Sequence, residues 1–291
     1  MFRAIIKRCC IRPITRDLPV YYKKCWTTAK RLLSLAMRSA FLVYNTLPAV
    51  KWSPLAEPFP VSELLVIRIE LARFSALISQ LFALLSPDEE VRAQRYFHEK
   101  DRHRFIITRG LLRSLLGHYT GQKPGAIQFV QTSHKKPSVR GSNWQYNVSH
   151  SGDWALIALS KTAVGVDIEK IDRDFRYQDI LPESFSPQEQ AFIEKSPDPR
   201  TRFYQLWTRK EALVKATGQG IDEHFQQIPT QDGSYEVESQ RIGNSNRWII
   251  SSFAMTEGYA AAVAYESPER IPDFCELNDF ESFAFFHPDE H

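Results

Sequence analysis

The chain has 291 residues, 43% apolar and 24% charged, with a formal net charge of +3. That length can bury a full core as one large domain or two small ones, with the composition of an ordinary soluble protein. The charge is uneven: residues 1–51 hold eleven Lys and Arg and one acid, Asp17, so +10 lies there and −7 on the other 240 residues, which speaks against a general nucleic-acid binder.

Cys9, Cys10 and Cys25 lie in the basic extension and only Cys275 outside it. No spacing suggests zinc or a disulfide framework, so a reducing, cytoplasmic compartment is expected. The start lacks a secretory pattern, and the apolar run Leu32–Val50 is interrupted by Arg38, Asn45 and Pro48, so no spanning helix is expected there. An Arg-rich, acid-poor segment resembles a transit peptide, so organelle targeting by residues 1–50 stays open. A disordered arm or an upstream start also explains it, and more readily. Pro48, Pro54, Pro58 and Pro60 read as a linker. Ordered structure is expected from near Val61, after an extension and linker over residues 1–60, and residues 1–51 are expected to be separable from catalysis.

Glu63–Leu71 alternates as a strand and Ser75–Leu85 reads as a short helix. Ser86-Pro87-Asp88-Glu89 is a capping box, followed by a basic helix through Arg92, Arg95 and Lys100. Another helix is expected from about Arg102 to Leu116, closed by Gly117. Gln145–Val148 predicts a strand leading into a loop around Ser149, His150 and Ser151. Trp154–Leu159 and Val164–Glu169 then read as adjacent antiparallel strands. The segment 266–291, with eight acids and one Arg, reads as a loose acidic tail beyond the domains.

The same grammar returns a hundred residues on: Ser186-Pro187-Gln188-Glu189 repeats the capping box, Thr208-Arg209 repeats Thr108-Arg109, and Gly218 repeats Gly117. Two matches offset by 100 residues and a third by 101 predict two similar α+β halves, 61–155 and 156–266, packed as a pseudo-dimer around one cleft. Leu111 stands where the second half has Glu211, so chemistry is expected in the second half only.

In Val164-Gly165-Val166-Asp167-Ile168-Glu169 the apolar residues share one strand face and Asp167 and Glu169 the other. Glu211 and Lys215 stack four apart on a helix. Three carboxylates and an ammonium suit a divalent ion beside a phosphate. An exposed strand face and an ordinary helical ion pair would carry the same residues. Glu189 is accounted for as a helix cap. His150 reads as a loop histidine or a phosphate donor. Lys135, Lys136, Arg92, Arg95, Lys100 and Arg104 read as a phosphate patch or a solvated face.

Asn147-Val148-Ser149-His150-Ser151, Gly165-Val166-Asp167-Ile168-Glu169 and Trp207-Thr208-Arg209-Lys210-Glu211-Ala212-Leu213-Val214-Lys215 resemble, in order and spacing, the signature segments of 4′-phosphopantetheinyl transferases. Lys136-Pro137 resembles that family's Gly-Lys-Pro element, with Lys135 in place of Gly. The resemblance covers residues 61–266 and is nearest the monomeric, surfactin-synthetase-activating type. It implies a fold of two pseudo-symmetric halves, each an antiparallel sheet packed with helices. It also implies transfer of phosphopantetheine from coenzyme A to a serine of an apo acyl, polyketide or peptidyl carrier protein, leaving 3′,5′-ADP. On this resemblance Asp167, Glu169 and Glu211 hold Mg2+, Glu211 helps deprotonate the serine directly or through a metal-bound water, and Lys215 with the metal steadies the leaving phosphate. Lys136, Asn147, Ser149, His150 and Arg104 hold coenzyme A, the last two near its 3′-phosphate. No nucleic acid or membrane partner is implied. A magnesium-dependent nuclease or phosphodiesterase is the alternative reading, and a docking module built around the basic extension is a non-enzymatic one.

Overall fold

Apolar–polar alternation and two capping boxes, one per half, dictate most of the architecture. A computed structural model describes residues 39–55, 62–131, 136–221, 224–266 and 271–278. In chain order its strands are β1 (Ser39–Thr46), β2 (Ser53–Pro54), β3 (Leu64–Glu70), β4 (Phe129–Gln131), β5 (Pro137–Val139), β6 (Gln145–Ser151), β7 (Trp154–Ser160), β8 (Val164–Lys170), β9 (Gly233–Glu238), β10 (Arg247–Phe253), β11 (Tyr259–Tyr265) and β12 (Asp273–Leu277). Its α-helices are α1 (Ile78–Phe82), α2 (Pro87–Gln94), α3 (Glu99–Thr120), α4 (Leu181–Ser184), α5 (Pro187–Glu194) and α6 (Pro199–Thr217).

The strands form two five-stranded sheets, β2-β12-β3-β7-β6 and β8-β11-β10-β1-β9, with β4 and β5 pairing separately. The halves repeat one plan. In the first, β3-β7-β6 is antiparallel and carries α2 and α3; in the second, β8-β11-β10 is antiparallel and carries α5 and α6. The sheets pack face to face through Leu64, Val66, Leu156 and Ala158 on one side and Val164, Val166, Ile168 and Val263 on the other. Their outer faces are covered by the long helices, α3 over Leu65, Ile67 and Ile157, α6 over Leu42, Ile250 and Ala262. The α+β pseudo-dimer is thus a four-layer α-β-β-α stack.

Both capping boxes form: the Ser86 N–H donates to the Glu89 carboxylate at 3.1 Å, and Ser186 N–H to Glu189 at 3.1 Å. In each half the cap glutamate is buried and meets a cation of the long helix, Arg113 at 2.7 Å from Glu89 and Lys210 at 3.7 Å from Glu189.

Several expectations need correction. Ordered structure does not begin at Val61. β1 lies inside the second sheet, parallel to β10 and antiparallel to β9, with Ala40, Leu42 and Tyr44 buried. The C-terminal segment is not wholly a loose tail, because β12 runs parallel to β3. The two chain ends therefore cross over, each completing the sheet of the other half. Their parallel pairs make both sheets mixed at these positions. The chain changes sheet between Ser160 and Val164, later than 155, and β7 and β8 are not paired neighbours. α3 continues through Gly117 and ends at Gly121, whose φ of 68° takes the left-handed cap instead. The basic extension through residue 38 and the tail from residue 279 lie outside the described residues, as does Lys135. Among the described residues no helix is long and apolar enough to cross a membrane.

Candidate active site

β8 and α6 build the centre. With Val164, Val166 and Ile168 buried between the sheets, Gly165, Asp167 and Glu169 face α6. A side chain at residue 165 would strike the α6 backbone at Ala212 and Ala216, so only glycine permits this approach. α6 is fixed by two buried cations flanking the chemistry. Arg209 donates to Ser252, to the Thr230 and Asn45 carbonyls and to Asp232. Lys210 donates to the carbonyls of Phe225 and Gln226. Glu189, besides capping α5, accepts from Thr230 and completes this buried network.

Lys215 donates to Asp167 Oδ1 at 2.5 Å, and Ser149 donates to the same oxygen at 2.8 Å. Asp167 Oδ2 and Glu211 Oε1 are buried without a hydrogen-bond partner, an arrangement that is costly unless something fills it. Burial, then the charge of Asp167, pushes both Glu169 and Glu211 up to about 7. Burial raises Asp167 too, opposed by Lys215. Among the described residues no three acidic, His or Cys groups already stand as a closed ligand set; Lys215 sits on Asp167 instead. The donor chemistry nonetheless fits a hard cation: mutually repelling carboxylates with two orphaned buried oxygens.

The structure divides the other expected residues between two cavities. Arg104 and His150 line one of about 380 Å³, with Arg92, Arg109 and Tyr96. His150 falls below its ordinary pKa through desolvation, then through the Arg104 charge. Lys136 and Asn147 line another of about 600 Å³, together with Glu211 and Lys215. Lys136 is buried and donates to the carbonyls of Val164 at 3.0 Å and Ala216 at 2.7 Å, tying β8 to the end of α6, and burial brings its pKa down to about 8. Arg95 and Lys100 do not join the first cavity, and Lys100 pairs with Asp153.

Ser149, His150 and Ser151 belong to β6 itself, not to a loop, because the alternation that begins at Gln145 continues to Ser151. Tyr146, Val148 and His150 face α3; Asn147, Ser149 and Ser151 face β8. Asn147 accepts the Val166 N–H at 2.8 Å. Reading the sequence missed Ser151, whose hydroxyl donates to Glu169 at 3.0 Å, and Arg109, whose repeat partner Arg209 was the available signal.

The two-lobed α+β fold thus has a cleft between pseudo-symmetric halves, with a carboxylate cluster on one wall and an arginine-lined cavity beside it, an arrangement suited to a phosphorylated ligand. Residues 163–264 match the profile of the 4′-phosphopantetheinyl transferase superfamily, and residues 74–162 that of the 4′-phosphopantetheinyl transferase N-terminal region. The chain is 32% identical over 204 residues to the 4′-phosphopantetheinyl transferase HetI of Nostoc sp., covering 68% of this chain and 85% of that one. It is 30% identical over 203 residues to a 4′-phosphopantetheinyl transferase of Bacillus subtilis (68% and 87% covered), and 27% identical over 196 residues to that organism's Sfp (65% and 86% covered). The chain belongs to the 4′-phosphopantetheinyl transferase family. It is a transferase that moves phosphopantetheine from coenzyme A to carrier proteins; the nuclease alternative gains nothing from these matches.

Proposed function

We propose that transfer occurs at the Asp167–Glu169–Glu211 cluster, onto a serine hydroxyl of an apo carrier protein, with 3′,5′-ADP leaving. The observation that carries this reading is the pair of buried, unpartnered oxygens on Asp167 and Glu211 with the Lys215 ammonium beside them. Asp167, Glu169 and Glu211 would hold magnesium, which when bound supplies charge neutralisation at the pyrophosphate.

Glu211 takes the proton from the carrier serine; a carboxylate whose burial moves it toward neutrality suits that task at pH 7. The serine oxygen attacks the β-phosphate joined to pantetheine, and the bond to the 3′,5′-ADP oxygen breaks. Lys215, 29% exposed at its side chain, stands at the cleft margin to receive the charge that develops there. Lys136 acts through the backbone, holding β8 against α6. Every group named lies on one chain, which accords with a monomeric enzyme. A reducing, cytoplasmic setting fits the cysteine usage. Acyl, polyketide and peptidyl carriers all present the serine this chemistry requires.

The cavity of Arg92, Arg104, Arg109 and His150 is assigned to the 3′-phosphate of coenzyme A. His150→Ala should raise the KM for coenzyme A about tenfold to a hundredfold, since a hydrogen bond to a charged phosphate is worth roughly 1.5–3 kcal/mol. Dephospho-coenzyme A lacks that phosphate, so its KM should barely change. Equal losses on both substrates would remove His150 from the 3′-phosphate site.

A further inference from the structure

β6 and β8 are free edges of different sheets, yet they run side by side in a fixed parallel register. Asn147 accepts from Val166 N–H, Ser149 from Ile168 N–H at 3.4 Å, and Ser151 from Lys170 N–H at 3.0 Å, each pair nineteen residues apart. Every second side chain of β6 thus replaces the backbone carbonyl that a paired strand would offer. This ladder sews the first half to the second across the cleft.

The two serines do more than join edges. Each turns its proton onto the carboxylate just before the amide it accepts from: Ser149 onto Asp167 Oδ1 at 2.8 Å, Ser151 onto Glu169 Oε2 at 3.0 Å. A hydroxyl has one proton and two lone pairs. Ser149 spends all three, on Asp167, on Ile168 N–H and on the Lys215 ammonium at 3.2 Å. It keeps nothing for coenzyme A, unlike the role the resemblance implies for it. Because Oδ1 of Asp167 is occupied in this way, Oδ2 is the oxygen left bare.

We infer that Ser149 and Ser151 are positioning residues: they lock the β8 carboxylates of the second half from the opposite lobe, fixing which oxygens a cation meets. The inference rests on the metal reading above.

Ser151 gives the cleaner test, having fewer partners. The full chain carrying Ser151→Ala should need about tenfold more Mg2+ for half-maximal transfer, the size of effect seen when a ligand's hydrogen-bonding support is removed. The rise in Tm that Mg2+ causes without coenzyme A should shrink in parallel. The KM for coenzyme A at saturating Mg2+ should stay unchanged, and Ser151→Thr, which keeps the hydroxyl, should restore the wild-type Mg2+ dependence. If Ser151→Ala does not fold, Ser151→Cys, similar in size and a weaker donor, should show the same shift in smaller degree. A lowered Tm with unchanged Mg2+ dependence would reduce Ser151 to a structural joint and overturn the inference. A raised coenzyme A KM with unchanged Mg2+ dependence would overturn it equally. A wild-type chain indifferent to Mg2+ would instead overturn the metal reading beneath it.

Discussion

Removal of residues 1–51 is expected to abolish the native fold and with it all transfer. Sequence composition argues for a dispensable basic arm, but β1 lies between β10 and β9, so its loss leaves both without a partner on that side. Ala40 and Leu42 are fully buried and Tyr44 nearly so. Burying a large apolar side chain is worth about 1.5–3 kcal/mol, and β1 also supplies two ladders of backbone hydrogen bonds. Asn45 and Thr46 further accept from Arg209, the buried cation that anchors α6. Against a whole-domain stability of about 5–15 kcal/mol these losses decide the outcome. A chain starting at Met37 keeps β1 whole and should unfold cooperatively with a Tm close to that of the full chain. Thermal unfolding of the two truncations checks this, and a cooperative, active 52–291 fragment would show that β1 is not required.

Glu211→Gln should remove activity while making the metal-free protein more stable. Losing the proton acceptor and one cation ligand should lower kcat by about 10²–10⁴-fold. Stability should move the other way. Glu211 is lifted from 4.5 to about 7 by burial, then by Asp167. As pH rises through that window the unfolded chain releases its proton first while the folded chain still holds one, so stability falls and the full penalty applies above pH 7. Glutamine carries no such charge. The variant should therefore gain about 1–3 kcal/mol at pH 8 and much less at pH 5, a fraction of the full shift because Asp167 and Glu169 share the repulsion. Chelator-treated protein melted at both pH values would check it. An equal Tm difference at pH 5 and pH 8 would mean that Glu211 does not carry the charge strain.

The site was more legible than the frame around it. Val164–Glu169 announces its own two faces by alternation, and Glu211–Lys215 by helical spacing, because both are local patterns. The capping boxes were equally local, and they revealed the duplication. β1 shows the opposite case. Ala40, Leu42 and Tyr44 alternate with half-exposed neighbours, yet prolines follow and a +10 segment surrounds them. Nothing nearby signals a partner strand two hundred residues away. The same limit hid β12. Likewise, a lysine before a proline carries no sign of the two carbonyls, at Val164 and Ala216, that converge on Lys136. Ser149 and Ser151 read as loop residues in sequence; only the side-by-side placement of β6 and β8 gives their hydroxyls a task.

The most direct measurement is the intact mass of an apo carrier protein after incubation with coenzyme A, Mg2+ and either the wild-type chain or its Asp167→Asn variant. Asp167 is the residue on which Lys215, Ser149 and the unpartnered oxygen converge. The wild-type chain should add one phosphopantetheinyl group per carrier serine, chelator should stop it, and the folded variant should leave the carrier unmodified. Undiminished transfer by the variant, or by the wild-type chain in chelator, would contradict the placement of the chemistry at this cluster.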